Sequence, residues 1–291
     1  MWTKELYERA YECVENRKWP IVIPSYNRPD FITQKLFKFT EDENWPVYVV
    51  IRESQRELYS VKYPYVTYVI VPDHIITNIG NTRAFIVRWA IKKGFDYIFM
   101  LDDDVKSFKY SIPALTKKGL PKAKVVDTSF SRFMAMWQLS SESLSDFILT
   151  GLALEHFAWG EDCVDVDRCT DATSVVTDVV CVNIKRLSTL GLNYQDNKRV
   201  GHEDMEMAIQ AFEHGIPCVK FKFLTYRPSP SDTWEYSSIQ ERLQSQYDLM
   251  YANHNGKPYV SFRKTINGYP SITLKYQSKI FIKNFPKTLY F

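Results

Sequence analysis

Apolar residues in the first hundred positions form short, nearly continuous runs, and these runs are separated by stretches with helical spacing. The runs are rich in β-branched and aromatic residues and predict strands at 19–26, 46–51, 66–71 and 96–101. Helical spacing and capping residues predict helices at about 3–17, 30–40 and 78–93, the last closed by Gly94. Because hydrophobic strands alternate with helices, we expect an α/β fold with a mostly parallel sheet covered on both faces.

The alternation becomes less regular after residue 105. Residues 105–125 predict a basic loop, residues 129–147 a helix and residues 161–171 an acidic segment rich in turns. Further strands are predicted at 176–184 and 217–226, and further helices at 205–215 and 238–252. The 291 residues suffice for one catalytic domain with an elaborated C-terminal part.

Polar residues follow three of the predicted strands. Residues 24–28 come after the first strand, Arg52 and Glu53 after the second, and the acidic triplet Asp102-Asp103-Asp104 after the fourth. In parallel sheets the carboxyl ends of the strands meet at one edge, and ligands bind there. The sequence therefore predicts a ligand site at this edge of the sheet.

The acidic triplet needs a compensating charge, because neighbouring carboxylates repel one another. In an extended segment Asp102 and Asp104 point to the same side, so both can approach one Mg²⁺ or Mn²⁺ ion. Such an ion would bridge a diphosphate and neutralise its charge as it leaves. A solvated acidic turn is the alternative interpretation of the same residues.

Four segments of the chain resemble the GT-A glycosyltransferases, especially those similar to glycosyltransferase family 2. These segments are I-V-I-P-S-Y-N-R-P (21–29), N-I-G-N-T-R-A (78–84), F-M-L-D-D-D (99–104) and G-H-E-D-M-E (201–206). The resemblance implies a GT-A catalytic domain at 1–226, with a donor-binding part at about 19–105 and an acceptor-binding part at about 106–226. Residues 227–291 match nothing in the family, and we expect a basic, aromatic extension packed on the domain.

The resemblance also implies which residues bind the nucleotide-sugar donor. It implies contacts with the nucleobase and ribose from Pro24, Ser25, Tyr26, Arg28 and Glu53, and further donor contacts from Asn81, Arg83, Asp102 and Asp103. The Arg83 guanidinium would bind phosphate or sugar oxygens in a bidentate manner. The alternative for Arg83 is an ordinary helix arginine paired with a surface acid.

Three residues further along the chain are candidates for catalysis and metal binding. By the family pattern, Asp204 at the start of a helix is the base that takes the acceptor proton, and Glu203 contacts the acceptor or the sugar. The alternative role of this acidic pair is compensation of the helix dipole. His254 would supply a third metal ligand, with an ordinary loop histidine as the alternative.

Positive charge is concentrated in two segments of a chain whose net charge is only +3. Residues 105–125 contain six lysines, residues 257–291 contain six lysines and Arg263, and neither segment contains an acid. Such surfaces bind polyanions, and for DNA we select Lys106, Lys109, Lys117, Lys118, Arg263 and Lys264. Solvated lysines on a loop and on a C-terminal extension are the alternative.

The lack of an apolar targeting segment and the pattern of cysteines predict a cytoplasmic protein. The N-terminus has no apolar signal-peptide core, and no apolar run approaches the roughly 18 residues of a membrane span. The five cysteines show no matched C-x-x-C pairs, so disulfides and zinc sites are not expected.

The order of the segments and the motifs N-I-G-N-T-R-A (78–84) and L-D-D-D (101–104) also resemble phage-encoded enzymes similar to the TET-associated glycosyltransferases, which modify hydroxymethylated pyrimidines in DNA. If the chain is phage-encoded, the cytoplasm in question is that of the host. This resemblance implies an acceptor hydroxyl on a base, reached by base extrusion or in a single strand. A saccharide, polysaccharide or protein acceptor is the alternative within the class. A nucleotidyltransferase that uses an NTP and the same metal is an alternative from another class, and a non-catalytic binding module is a third.

Overall fold

The computed structural model describes residues 4–30, 45–64, 66–144, 146–155, 170–171, 175–194, 203–216, 218–229, 239–257, 259–264 and 270–274. Its helices are α1 (Lys4–Val14), α2 (Arg56–Ser60), α3 (Ile79–Lys93), α4 (Phe130–Glu142), α5 (Ile184–Leu190), α6 (Glu203–Glu213) and α7 (Ile239–His254), with a 3₁₀ turn at Glu53–Gln55. The predicted helix at 30–40, most of the acidic segment at 161–171 and the tail beyond 274 lie outside these residues.

Ten strands form the central sheet, and two more form a separate hairpin. The central strands are β1 (Ile21–Pro24), β2 (Val47–Arg52), β3 (Thr67–Val71), β4 (Tyr97–Leu101), β5 (Val105–Leu115), β6 (Pro121–Asp127), β7 (Leu149–Leu154), β8 (Thr170–Asp171), β9 (Val179–Asn183) and β10 (Cys218–Pro228). Their order is β3-β2-β1-β4-β9-β7-β10-β5-β6, with β8 paired to β10. The hairpin consists of β11 (Val260–Lys264) and β12 (Pro270–Leu274).

Parallel pairing holds the first half of the sheet together, as the sequence predicts. Strands β3, β2, β1 and β4 are all parallel, so their carboxyl ends meet at one edge. Strand β9 then pairs antiparallel with β4 and β7, and β10 pairs parallel with β7 and antiparallel with β5. The prediction of an α/β fold is confirmed. The half of the sheet that ends at the acidic triplet is parallel, and the other half has mixed pairing.

Apolar clusters cover both faces of this sheet. On one face, Val14 of α1 and Phe133 and Trp137 of α4 pack against the strands. On the other face, Val87 of α3 and Met207 of α6 belong to the second cluster. Because each face is shielded, we expect ligands to reach the sheet at the polar edge described below.

Helix α3 begins and ends where its capping residues predict. The Asn78 side chain accepts a hydrogen bond from the Asn81 amide at 2.9 Å, and the Asn81 side chain accepts one from the Asn78 amide at 3.0 Å. The helix ends at Gly94, whose φ of 73° lies in the left-handed region that glycine adopts without strain. These caps fix the helix that carries Arg83.

The basic segment at 105–125 is a β-hairpin, so the predicted loop is wrong. Strands β5 and β6 pair from Lys109 with Asp127 to Leu115 with Pro121. The lysines alternate with apolar residues, as in K-A-K-V (122–125), and a period of two residues is typical of a strand. The predicted helix at 129–147 is likewise too long, because α4 ends at Glu142 and β7 follows at 149.

The C-terminal elements pack on helix α6. Ile209 of α6, Met250 of α7 and Val260 of β11 form a third apolar cluster. Lys257 and Tyr259 both donate hydrogen bonds to Glu213 at the end of α6. Within the described part of the chain, no helix combines the length and apolar character needed to cross a bilayer.

Candidate active site

Asp103, the middle residue of the acidic triplet, is held by the segment that follows β1. Its carboxylate accepts hydrogen bonds from Ser25 Oγ at 2.6 Å and from Arg28 Nη1 at 3.2 Å. Tyr59 of α2 extends this contact, because its hydroxyl lies 2.6 Å from Ser25 Oγ and accepts a hydrogen bond from the Arg28 amide at 3.0 Å. Burial raises the pKa of Asp103 to about 6, although the bond from Ser25 opposes this shift.

The segment after β1 also presents an aromatic ring to solvent. Tyr26 is exposed on one side, and the Arg52 guanidinium carbon lies 3.9 Å from its ring centroid. Asn27 has a φ of 56° and exchanges two hydrogen bonds with the buried Gln55 side chain, at 2.9 and 3.2 Å. These contacts fix the loop, while Glu53 remains exposed at the start of the 3₁₀ turn.

Arg83 connects the carboxyl edge of the parallel strands with helix α6. Its Nη2 donates to the two carboxylate oxygens of Asp102 at 3.0 and 3.2 Å. Its Nη1 donates to Glu203 at 3.1 Å and also to Asp204. The Arg83 side chain is only 3% exposed, so it is neither a surface helix arginine nor open to a phosphate in this arrangement.

The pKa values of the residues in this cluster are shifted by burial and by their mutual attraction. Burial would lower the pKa of the Arg83 guanidinium, but attraction to Asp204, Asp102 and Glu203 raises it well above its usual value. Burial raises the pKa of Asp204 well above its usual range and that of Asp102 to about 7, although Arg83 opposes both shifts. One guanidinium therefore pairs with three carboxyl groups, and burial favours the protonated forms of Asp102 and Asp204.

Asn81, predicted to contact the donor, forms part of the cap of α3. Its side-chain oxygen accepts hydrogen bonds from the Thr77 and Asn78 amides, and its Nδ2 donates to Thr77 Oγ1 at 2.7 Å. The structure thus gives Asn81 a role in setting the start of the helix that positions Arg83.

Asp178 is a further acidic residue at the site that the sequence pattern does not reveal. It precedes β9, and its carbonyl accepts a hydrogen bond from the Asp102 amide at 2.8 Å. Tyr226 of β10 donates to its carboxylate at 2.6 Å. The φ of Asp178 is 58°, a left-handed conformation that costs about 1 kcal/mol for a residue other than glycine. Only a neighbouring strand brings it to the triplet, so no local signal in the sequence identifies it.

Close packing of β7 lets the segment before Asp178 lie against the sheet. A Cβ added to Gly151 would lie 2.5 Å from Cγ1 of Val176, which is closer than atoms can approach. Glycine at position 151 therefore allows residues 176–178 to approach the end of β4.

We expect substitutions of Asp178 to show whether activity depends on its backbone conformation and hydrogen bond or on its negative charge. An asparagine in its place would keep an oxygen for Tyr226 and tolerates a left-handed backbone, so Asp178→Asn should retain most of the activity. Asp178→Ala loses the acceptor and adds backbone strain, so sugar transfer should fall by about tenfold or more as Asp102 shifts. Steady-state kinetics of both variants and of Tyr226→Phe test this. Equal losses in the Asn and Ala variants would show that the charge itself is required.

His254 is the last residue of α7, so the alternative of an ordinary loop histidine is wrong. Its Nε2 lies 2.7 Å from Glu206 Oε2, and Asn253 donates to the other Glu206 oxygen at 3.1 Å. Within the described ranges, no group of three or more His, Cys, Asp or Glu side chains has an arrangement that could hold a metal ion. The structure therefore does not join His254 to Asp102 and Asp104, and gives it a buried contact with α6.

The lysines predicted to bind DNA differ in their surroundings. Lys109 is paired with Glu155 at 2.9 Å and with Asp127 at 3.7 Å, which removes it from the candidates for a free cation. By contrast, the remaining residues selected for DNA contact have exposed side chains, namely Lys106, Lys117, Lys118, Arg263 and Lys264. Among the cysteines the structure describes, Cys13, Cys181 and Cys218 are free thiols.

The sheet topology and the convergence of its carboxylates define a class of enzyme. A parallel half-sheet ends in an acidic triplet, and a second acidic pair at a helix start faces the triplet across Arg83. This arrangement is that of a GT-A-like glycosyltransferase. The sequence profile of the TET-Associated Glycosyltransferase family matches residues 19–227, and the chain belongs to this family of glycosyltransferases.

Solved structures align with this chain at low sequence identity. A mycobacterial protein aligns with a TM-score of 0.50 and 9% identity over 94% of this chain and 87% of its own. A Drosophila β1,4-galactosyltransferase 7 variant, in complex with manganese, UDP-Gal and xylobiose, aligns with a TM-score of 0.38 and 12% identity over 89% and 92% of the two chains. The 4-diphosphocytidyl-2C-methyl-D-erythritol synthase of Anaerococcus prevotii aligns with a TM-score of 0.38 and 10% identity over 82% and 99%. No curated protein matches the chain.

Proposed function

We propose that this glycosyltransferase moves a sugar from a UDP-sugar to the hydroxymethyl group of a modified pyrimidine in phage DNA, with the help of Mn²⁺ or Mg²⁺. The observation that carries the proposal is the buried Arg83, which binds Asp102 on the donor side and Glu203 and Asp204 on the other. A single cluster thus joins the two groups of carboxylates that the transfer requires.

The charges of the site suit a divalent cation. Two guanidinium groups pair with five carboxyl groups, Arg28 with Asp103 and Asp104, and Arg83 with Asp102, Glu203 and Asp204. Asp178 adds a sixth carboxyl group next to Asp102, whose amide bonds to its carbonyl. Asp102 and Asp104 remain about one fifth exposed, so oxygen ligands of the kind that Mg²⁺ and Mn²⁺ prefer face the solvent. When bound, the cation would neutralise the diphosphate of the departing nucleotide.

The chain's own residues would perform the remaining tasks. The segment after β1, with Tyr26 exposed, would bind the nucleobase and ribose, and Asp103 would hold that segment to the triplet through Ser25 and Arg28. Asp204, at the start of α6 and partly open to solvent, would take the proton from the acceptor hydroxyl. Glu203 would contact the acceptor or the transferred sugar, while Arg83 keeps both carboxylates in place.

Positive charge supports DNA as the acceptor. Exposed lysines follow the triplet directly along the chain, and Arg263 and Lys264 add two cations on β11. Lysine and arginine side chains that neutralise phosphates supply most of the sequence-independent affinity for DNA. The acceptor hydroxyl would reach Asp204 by base extrusion or in single-stranded DNA.

Mass spectrometry of DNA incubated with the purified protein tests the proposal. With a UDP-sugar and Mn²⁺, DNA that contains a 5-hydroxymethylpyrimidine should gain the mass of one sugar, and unmodified DNA should not. Asp204→Asn should lower turnover by about 10²- to 10⁴-fold with little change in donor affinity, because a general base acts in the transition state. Glu203→Gln is the matched substitution; if it alone removes activity, the base is Glu203.

Two other outcomes would replace the proposal. Sugar transfer to saccharides but not to DNA would assign the enzyme to polysaccharide synthesis. Metal-dependent binding of NTPs, measured by isothermal titration, without binding of UDP-sugars would indicate a nucleotidyltransferase.

A further inference from the structure

The hairpin of β5 and β6, residues 105–127, carries five exposed lysines, and we call it the lysine ribbon. They are Lys106, Lys117, Lys118, Lys122 and Lys124, and none of them forms an ion pair within the described chain. Lys109, in contrast, is neutralised by Glu155 and Asp127. Among the described residues, the five lysines therefore present positive charge along the hairpin without an acidic partner.

The lysine ribbon begins at the acidic triplet and runs away from it. Strand β5 follows Asp104 directly and continues for 11 residues, which span about 35 Å at about 3.3 Å per residue. β10 pairs with residues 105–110 of β5, but further along it pairs with β8 instead. The outer half of the ribbon thus separates from β10.

A well-formed turn closes the far end of the ribbon. The Thr116 amide donates to the Leu120 carbonyl at 2.8 Å, and Gly119, with a φ of 77°, donates to the Thr116 carbonyl at 2.9 Å. Leu115 and Leu120 on either side of the turn are 66% and 56% exposed. Two lysines, Lys117 and Lys118, lie within the turn itself and are also exposed. This tip is ordered by its own hydrogen bonds and exposes both cations and apolar surface.

We propose that the lysine ribbon is a track for the phosphate backbone of duplex DNA that extends about one helical turn to one side of the acceptor base. The inference rests on the proposed function, because it takes the acceptor to be DNA. A duplex carries a negative charge about every 1.7 Å and completes one turn in about 34–36 Å. That length matches the distance from the triplet to the ribbon tip. Lys106 near the triplet, Lys124 and Lys122 opposite Ile112 and Ala114, and Lys117 and Lys118 at the tip would then contact phosphates along one turn of duplex.

The lysine ribbon could have two other roles, and measurements can distinguish each of them from DNA binding. Lysines on an edge strand such as β6 also prevent strands of other molecules from pairing, which is a matter of solubility. A basic tip with exposed leucines also suits an anionic lipid surface. The linear arrangement that starts at the triplet favours the duplex over both of these roles.

The decisive experiment varies the length of DNA on each side of the modified base. Fluorescence anisotropy measures binding of duplexes with about 4 or about 16 base pairs on one side, at several salt concentrations. For the long duplex, Lys117→Ala/Lys118→Ala should weaken binding about tenfold and flatten the salt dependence by about two phosphate contacts. The short duplex should bind this variant and the unsubstituted protein equally well.

Lys92→Ala/Lys93→Ala is the matched control, because both residues are exposed lysines in the last turn of α3, away from the lysine ribbon. It should change neither affinity nor salt dependence. Equal effects of the tip variant on short and long duplexes, or no effect on either, would overturn the proposal. Loss of binding to phosphatidylserine vesicles, with DNA binding unchanged, would assign the ribbon to a membrane.

The binding measurement is independent of the acceptor chemistry. If the protein transfers no sugar to any hydroxymethylated DNA, the proposed function fails, whereas the salt dependence of DNA binding by the tip variant still tests the ribbon. If sugar transfer to long duplexes proceeds equally well without the tip lysines, the ribbon proposal fails and the proposed function stands. Donor hydrolysis without DNA should be the same in both variants and in the unsubstituted protein.

Discussion

Asp102→Asn and Asp104→Asn should each lower sugar transfer by about 10³-fold or more while the fold is retained. Both side chains are partly exposed at the carboxyl end of β4, where a divalent cation would hold the donor diphosphate. Losing one carboxylate of the proposed metal site should cost several kcal/mol in the transition state. Titration calorimetry should show that both variants also lose affinity for the UDP-sugar in the presence of Mn²⁺.

Asp96→Asn is the control for these substitutions, because Asp96 is an exposed acid just before the opposite end of β4. It should leave donor binding and turnover unchanged. Near-normal turnover of both triplet variants at saturating Mn²⁺ would contradict the metal site, and the solvated acidic turn would then be the better interpretation.

Arg83→Met should produce the largest loss of stability, together with loss of activity. Removing the buried guanidinium leaves Asp102, Glu203 and Asp204, whose side chains are 23%, 12% and 15% exposed, without the partner that they share, which should cost about 3–5 kcal/mol. Urea denaturation monitored by tryptophan fluorescence measures this loss. Adding Asp204→Asn to the variant removes one of the uncompensated charges, so part of the stability should return without the activity.

A matched substitution distinguishes burial from charge alone. Arg186 pairs with Asp146 at 2.6 Å, but both side chains are more than one third exposed. Arg186→Met should therefore change the free energy of unfolding by at most about 1 kcal/mol. If Arg83→Met were no more destabilised than Arg186→Met, the buried cluster would not be the link between the two sides of the site.

Local signals in the sequence are sufficient to predict much of the fold. Helix α3 lies where the cap at Asn78 and the glycine at position 94 place it, because both signals act within one turn of helix. Strands β1 to β4 can be predicted because buried parallel strands are nearly continuous runs of apolar residues. The hairpin of β5 and β6 resembles a basic loop in the sequence, because its many lysines obscure the alternation of a strand.

The contacts of the candidate site can only partly be predicted, for a different reason. The triplet and the Glu203-Asp204 pair are local motifs, so the sequence identifies them. The hydrogen bond from Arg83 to Glu203 joins residues that are 120 positions apart, so it exists only in the folded chain. The contacts of Asp178 and Tyr59 likewise join residues that are distant in sequence, because the strands and helices that carry them meet at the edge of the sheet.

The shared position of Arg83 also constrains how the chain folds. Its burial is favourable only when α3, the end of β4 and the start of α6 are all present, so these elements should form in one cooperative transition. A fragment that ends near residue 105 would bury this arginine without Glu203 and Asp204, and β4 would lose its neighbour β9. We therefore expect that residues 19–105, the predicted donor-binding part, do not fold as an independent unit.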